Sequence, residues 1–160
     1  MMLTLRPDVI DADERARVRA ALDAAGWQPR DLADRYRLAV STLDDPLIER
    51  LVALAASVAG APLSRHGHEW LRLVHGDYQL MKGDGLERPS EPHVELIADV
   101  SAAATGEAEI FYSDGRVVPQ LPGAVAVLKR DATLIRWQRH LSLRVGDAAV
   151  YRLRLTLLRE

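Results

Sequence analysis

The chain has 160 residues, 48% apolar and 28% charged, with a net charge of −2, which fits one soluble domain with a substantial core. It has no cysteine, which excludes disulfides, thiolate catalysis, iron–sulfur clusters and thiolate zinc sites. There is no N-terminal apolar h-region and no run of about 18 apolar residues, so the expectation is a cytoplasmic protein with neither membrane nor nucleic acid as partner. Oligomeric state leaves no mark in the composition.

Helical signals fill the first third. Asp11 offers an N-cap with Glu14 three residues on, and Val18, Ala21, Leu22 and Ala25 follow at helical spacing until Gly26. A second helix has Asp45 as cap and Pro46 in its first turn, with Leu47, Leu51, Leu54, Ala55 and Val58 forming one stripe that stops at Gly60. Such stripes are core faces far more often than cofactor boxes. Residues 27–42 are polar and mixed, and read as loop with one short strand.

After Pro62 the period changes from 3.6 to 2. Alternation through Trp70–His75 and at Tyr78, then the turn Gly83-Asp84-Gly85, lead by a proline-containing loop to His93. In the strand beginning there, Val94, Leu96, Ala98 and Val100 form one face, and His93, Glu95, Ile97 and Asp99 the other. Short strands are expected at 108–112, 124–129, 133–138, 140–145 and 149–158, separated by Ser113-Asp114-Gly115, Pro122-Gly123 and Gly146-Asp147. Many short strands with close turns predict a mostly β barrel or sandwich with the helices on one side. The chain reads as a single domain over 1–160, a helical buttress over 1–62 and a β-barrel core over 63–160.

His93 and Glu95, two apart on a strand, present an imidazole and a carboxylate side by side, and His140 follows about 45 residues later. Two histidines and one carboxylate on one face of a metal, with open positions, are the donor set of non-haem Fe(II) oxygenases. The alternative is that His93 and Glu95 are solvent-facing strand residues and His140 a satisfied core histidine. Asp99 shares the strand face and is a rival acid.

In this order the features resemble the Fe(II)/2-oxoglutarate dioxygenase superfamily, in particular its prolyl-4-hydroxylase-like branch. The resemblance rests on Tyr78, Gly83-Asp84, the His93-x-Glu95 pair, Gly106-Glu-Ala-Glu-Ile-Phe-Tyr112, Asp114-Gly115, Val118-Pro119, Pro122-Gly-Ala-Val-Ala-Val127, and His140 ahead of a last strand carrying arginine. It implies a double-stranded β-helix, a jelly-roll or cupin-like barrel buttressed by the two helices. It also implies Fe(II) held by His93, Glu95 and His140, with 2-oxoglutarate as cosubstrate. The activity implied is hydroxylation of an unactivated C–H on a peptidyl residue or a small amino-acid-like molecule, with O₂ as co-reactant. Glu95 stands where this branch more often has Asp.

The distal carboxylate of 2-oxoglutarate calls for a guanidinium, which binds it by a bidentate fork. Spacing from His140 favours Arg152, the Arg-x-Thr pattern of Arg154 and Thr156 favours Arg154, and the choice stays open; outward-facing charges are the alternative for both. Tyr78 matches a family tyrosine that often hydrogen-bonds the cosubstrate, or is a core tyrosine. His66-Gly-His68-Glu69 resembles a cupin metal cluster but lacks its glycine-spaced companions, and reads as a polar loop before Trp70. Trp137 reads as a core residue. The rivals to the oxygenase are a non-catalytic barrel that binds or scaffolds, and a cupin-like metalloenzyme that uses no 2-oxoglutarate.

Overall fold

The two helices form where the caps are. Helix α1 spans Ala12–Ala25, and the Asp11 side chain accepts the Glu14 amide at 2.8 Å, satisfying one of the donors that a helix start leaves open. Helix α2 spans Leu47–Ala59 and ends at Gly60, whose φ of +67° is the left-handed C-cap conformation. Asp45 Oδ1 accepts the Leu47 amide at 2.9 Å. Arg17 of α1 grips the same carboxylate with two hydrogen bonds of 3.0 Å each. That grip holds the Asp45 carboxyl below its ordinary range, and one aspartate thus caps α2 while tying it to α1.

The structure, a computed structural model, describes residues 3–32, 36–79, 92–130, 136–138, 141 and 149–160. The strands are β1 (Leu3–Arg6), β2 (Gln28–Leu32), β3 (Tyr36–Ser41), β4 (Leu63–Leu73), β5 (Tyr78–Gln79), β6 (His93–Asp99), β7 (Ile110–Tyr112), β8 (Val117–Val118), β9 (Val125–Arg130), β10 (Arg136–Trp137) and β11 (Val150–Arg159). Among the described residues, the large sheet runs β1-β9-β6-β11-β4-β3-β2, with β5 also paired to β3, and a small sheet runs β10-β7-β8. Neighbouring strands are antiparallel throughout. An isolated bridge between Gln79 and Gln138 ties the two sheets together.

The large sheet is covered on both faces. Val94, Leu96 and Ala98 of β6 with Val100 just after it, Val125 and Val127 of β9, and Leu153, Leu155 and Leu157 of β11 pack against Val18 and Leu22 of α1 and Leu47, Ile48, Leu51 and Ala55 of α2. On the opposite face Ile97, Ala126 and Leu128 meet Ile110, Tyr112 and Val118 of the small sheet. The face split expected for β6 is therefore the one observed, and all seven residues of that strand are buried. The arrangement is the double-stranded β-helix that the sequence resemblance implies: two sheets rolled together, with helices outside.

The first 62 residues are not a helical buttress alone. Strand β1 pairs with β9, and the β2–β3 hairpin joins the large sheet through β4, so residues 27–42 hold two strands rather than loop with one. Strand β2 reads Gln-Pro-Arg-Asp-Leu and is exposed at four of its five positions; an edge strand wet on both faces carries no apolar alternation to detect. The strands expected at 133–138 and 140–145 fall mostly outside the described residues, β10 excepted. No described helix is long and apolar enough to cross a membrane.

Gly123 fixes where the N-terminal segment docks. Its carbonyl accepts the amides of Val9 and Ile10 at 2.9 and 3.1 Å. Its φ is +86°, and a Cβ there would lie 2.6 Å from the Ile10 carbonyl oxygen. Backbone strain and a clash with backbone rather than with a flexible tip compound each other, so Gly123→Ala is expected to lose about 2–3 kcal/mol in urea unfolding. A loss below about 0.5 kcal/mol, ordinary for a surface change, would show that this approach is not tight.

Candidate functional site

The side chains that turn away from the helices, on β4, β6, β9 and β11, face the small sheet and the barrel's mouth. Their alignment follows from register. His93 lies opposite Arg130, Glu95 opposite Thr156, and Arg154 opposite Glu69. Residues two apart on a strand share a face and direct cross-strand partners lie within side-chain reach, so one patch of sheet collects imidazole, carboxylate, hydroxyl and guanidinium groups. They line a cavity of about 230 Å³ with Arg30, His66, His68 and Arg136. His66 is exposed and Glu95 buried, so the cavity runs from the surface into the barrel. Its size suits a metabolite rather than a drug-sized ligand.

Charge is organised there as two Arg–Glu–Arg sandwiches. Arg130 Nη1 donates to Glu95 Oε2 at 2.7 Å, and Arg136 Nη1 meets Glu95 Oε1. The second contact is an ion contact rather than an aligned hydrogen bond. Arg154 Nη2 donates to Glu69 Oε2 at 2.6 Å, and Arg30 Nη1 lies 2.5 Å from Glu69 Oε1. The inner triad is nearly water-free, with the Arg130 and Glu95 side chains 2% and 1% exposed, and the Arg130 guanidinium also lies 5.7 Å from the centre of the Tyr112 ring. Four guanidinium groups against two carboxylates leave two positive charges in excess on the cavity wall. In a partly buried site that excess is weakly screened.

Of the residues singled out in the sequence, His93, Glu95, Arg154 and Thr156 come together in this cavity. Arg152 shares their face but lies deeper, lining a neighbouring space of about 20 Å³ with Arg136, Gln138 and Arg154. It donates to Gln138 Oε1 at 2.6 Å and to the Ala108 carbonyl. Burial pushes its guanidinium below the ordinary arginine range, with Asp99, its cross-strand partner, acting the other way. The outward-facing alternative does not hold for either arginine: Arg152 is buried, and the Arg154 side chain, 15% exposed, lines the cavity. Tyr78 pairs with Arg37 on β3 and does not line the cavity. Asp99 faces Arg152 rather than the mouth, and Trp137 stacks on Phe111 at 5.8 Å. His140 lies outside the described residues.

Sequence reasoning missed most of the cavity's charge. Arg30, Arg130 and Arg136 attracted no attention, and His66-Gly-His68-Glu69 is not a loop but part of β4. Between Leu63 and Trp70 the sequence carries no apolar alternation to mark a strand. His68 Nε2 sits 3.1 Å from the Thr42 carbonyl oxygen and 3.2 Å from that of Leu43; facing acceptors on both sides, it carries the proton and donates.

A divalent cation does not fit Glu95 as it stands. Each carboxylate oxygen faces a guanidinium, so this triad carries a net positive charge before any metal arrives, and a dication would enter against two fixed cations. Among the described residues no three His, Asp or Glu side chains gather into a metal-binding group.

No family model matches the sequence, and no curated protein is similar enough to be matched. Solved structures match over nearly the whole chain. A viral collagen prolyl hydroxylase from Paramecium Bursaria Chlorella virus-1, in its 2-oxoglutarate complex, aligns with a TM-score of 0.76 at 8% identity, covering 98% of this chain and 96% of that one. A 2-oxoglutarate–Fe(II) oxygenase family oxidoreductase from Burkholderia pseudomallei gives 0.73 at 16%, covering 99% and 86%. A Trichoplax adhaerens prolyl hydroxylase, solved with a hypoxia inducible factor oxygen degradation domain peptide fragment, gives 0.68 at 10%, covering 98% and 83%. At these identities the likeness establishes the fold: the chain is built on the barrel of the Fe(II)/2-oxoglutarate oxygenases, prolyl hydroxylases among them.

Proposed function

We propose, starting from a barrel shared with Fe(II)/2-oxoglutarate oxygenases, that this chain binds a small diacid of the 2-oxoglutarate class at the barrel mouth. The observation that carries the reading is the convergence of Arg30, Arg130, Arg136 and Arg154 on one cavity with an excess of two positive charges. Two carboxylate groups match that excess. Planar guanidinium groups recognise carboxylates by paired N–H bonds, and the Thr156 hydroxyl and His93 imidazole line the same wall.

A second reading has its own support. His93 and Glu95 share this cavity, and the barrel is the one in which the neighbours work. On that reading the chain is an oxygenase that hydroxylates a peptidyl residue or a small amino-acid-like molecule. Fe(II) would be held by His93, Glu95 and His140, with 2-oxoglutarate and O₂ as co-reactants. It requires Glu95 to give up at least one of its two arginines to the ion.

Calorimetric titration separates the readings. The expected result is binding of 2-oxoglutarate and succinate, weak or no binding of acetate, and a loss of about tenfold or more in affinity, at least 1.4 kcal/mol, in Arg154→Ala. Absence of binding by every diacid, with and without added Fe(II), would end the diacid reading. Iron-dependent conversion of 2-oxoglutarate to succinate, assayed without any substrate, would establish the oxygenase.

A further inference from the structure

We infer that Arg136 occupies, at Glu95, the role a metal cation would have, so that the barrel mouth binds its anion without a metal. For the identity of the anion this rests on the diacid reading above; for the exclusion of metal it rests on the triad alone. Glu95 is the most deeply buried carboxylate on the cavity wall, and a buried carboxylate needs a compensating cation. Two are built into the chain. Arg130 comes from β9, the strand next to β6, and Arg136 from β10 in the small sheet, so the carboxylate is held from both sheets at once.

Each guanidinium is tethered and permanently charged. With both in place the triad carries one net positive charge, and a dication would raise this to three at the buried end of the cavity. Without Arg136, Glu95 and Arg130 cancel, and the His93 imidazole lines the same wall. The single side chain of Arg136 thus decides whether the mouth repels or admits a divalent ion. The same side chain adds one of the two positive charges in excess that a diacid meets.

The test uses the full chain. Wild-type protein titrated with Mn(II), with free ion followed by its paramagnetic resonance signal, should show no binding in the micromolar range. Affinity for 2-oxoglutarate should stay within about threefold whether EDTA or Mn(II) is present. In Arg136→Ala, diacid affinity should fall tenfold or more while micromolar Mn(II) binding appears, and adding Glu95→Gln should remove that binding again. Arg136→Lys, which keeps the cation, should behave as wild type towards Mn(II). Micromolar Mn(II) binding by wild-type protein that Glu95→Gln abolishes, or loss of diacid binding in EDTA, would overturn the inference while leaving the diacid reading intact. Should Arg136→Ala fail to fold, the wild-type and Arg136→Lys titrations still decide it. If no diacid binds under any condition, the diacid reading fails and the Mn(II) titration alone judges the role of Arg136.

Discussion

Replacing Glu95 by alanine is expected to cost about 3–5 kcal/mol of folding stability, the range found when one partner of a buried ion pair is removed. The loss comes less from missing attraction than from what remains: Arg130 and Arg136, 2% and 4% exposed, would stay buried with no carboxylate between them. Urea unfolding with and without succinate measures it. The cavity's positive excess rises from two to three in the variant, so the diacid should recover more stability there than in wild type, through preferential binding to the folded state. A loss under about 1 kcal/mol would mean that the guanidinium groups do not depend on Glu95. The triple change Glu95→Leu, Arg130→Met, Arg136→Met should fold as well as wild type or better, yet bind no diacid. That outcome would show that stability alone does not account for three charged residues in that place.

Trp70→Ala is expected to cost a comparable 3–5 kcal/mol. Trp70 is completely buried on the helix-facing side of β4, within the core that joins both helices to the large sheet, and its indole N–H donates to the Leu43 carbonyl at 2.8 Å. Two costs are separable. Trp70→Phe keeps most of the apolar contact but removes the shorter of the two donors to that carbonyl, leaving His68 Nε2 at 3.2 Å, for about 1 kcal/mol. If Phe and Ala cost the same in chemical denaturation, the hydrogen bond rather than packing dominates. Strand β4 presents Glu69 to the cavity from the residue just before Trp70, so the alanine variant should also weaken diacid binding.

Features that depend on near neighbours in sequence were readable. Asp11 and Asp45 cap the helices they were expected to cap, and β6 splits its faces by alternation as the pleat dictates. The same rule put His93 and Glu95 on one face. It could not say what stands across from that face. Glu95 meets Arg130 and Arg136, 35 and 41 residues further on, one on an adjacent strand and one on the other sheet. Their meeting is set by registers that no local pattern encodes. Charged strand residues read by default as solvated, and Arg130, following Lys129 after the apolar run Val125–Leu128, carries no local sign of burial. The His66–Glu69 stretch was misread for the same reason, its polar residues pointing into a wet cavity rather than out of a loop.

The β2 margin has a bearing on self-assembly. This end strand of the large sheet carries Pro29 at its second position, beside Gln28, Arg30 and Asp31. An imino acid offers no amide hydrogen to an incoming strand, and a charged rim disfavours dehydrating contact. Fibril-like stacking through this border is thereby blocked at its second residue, beside the arginine that reaches Glu69. Swapping Pro29 for valine would remove that guard without touching the cavity's charge.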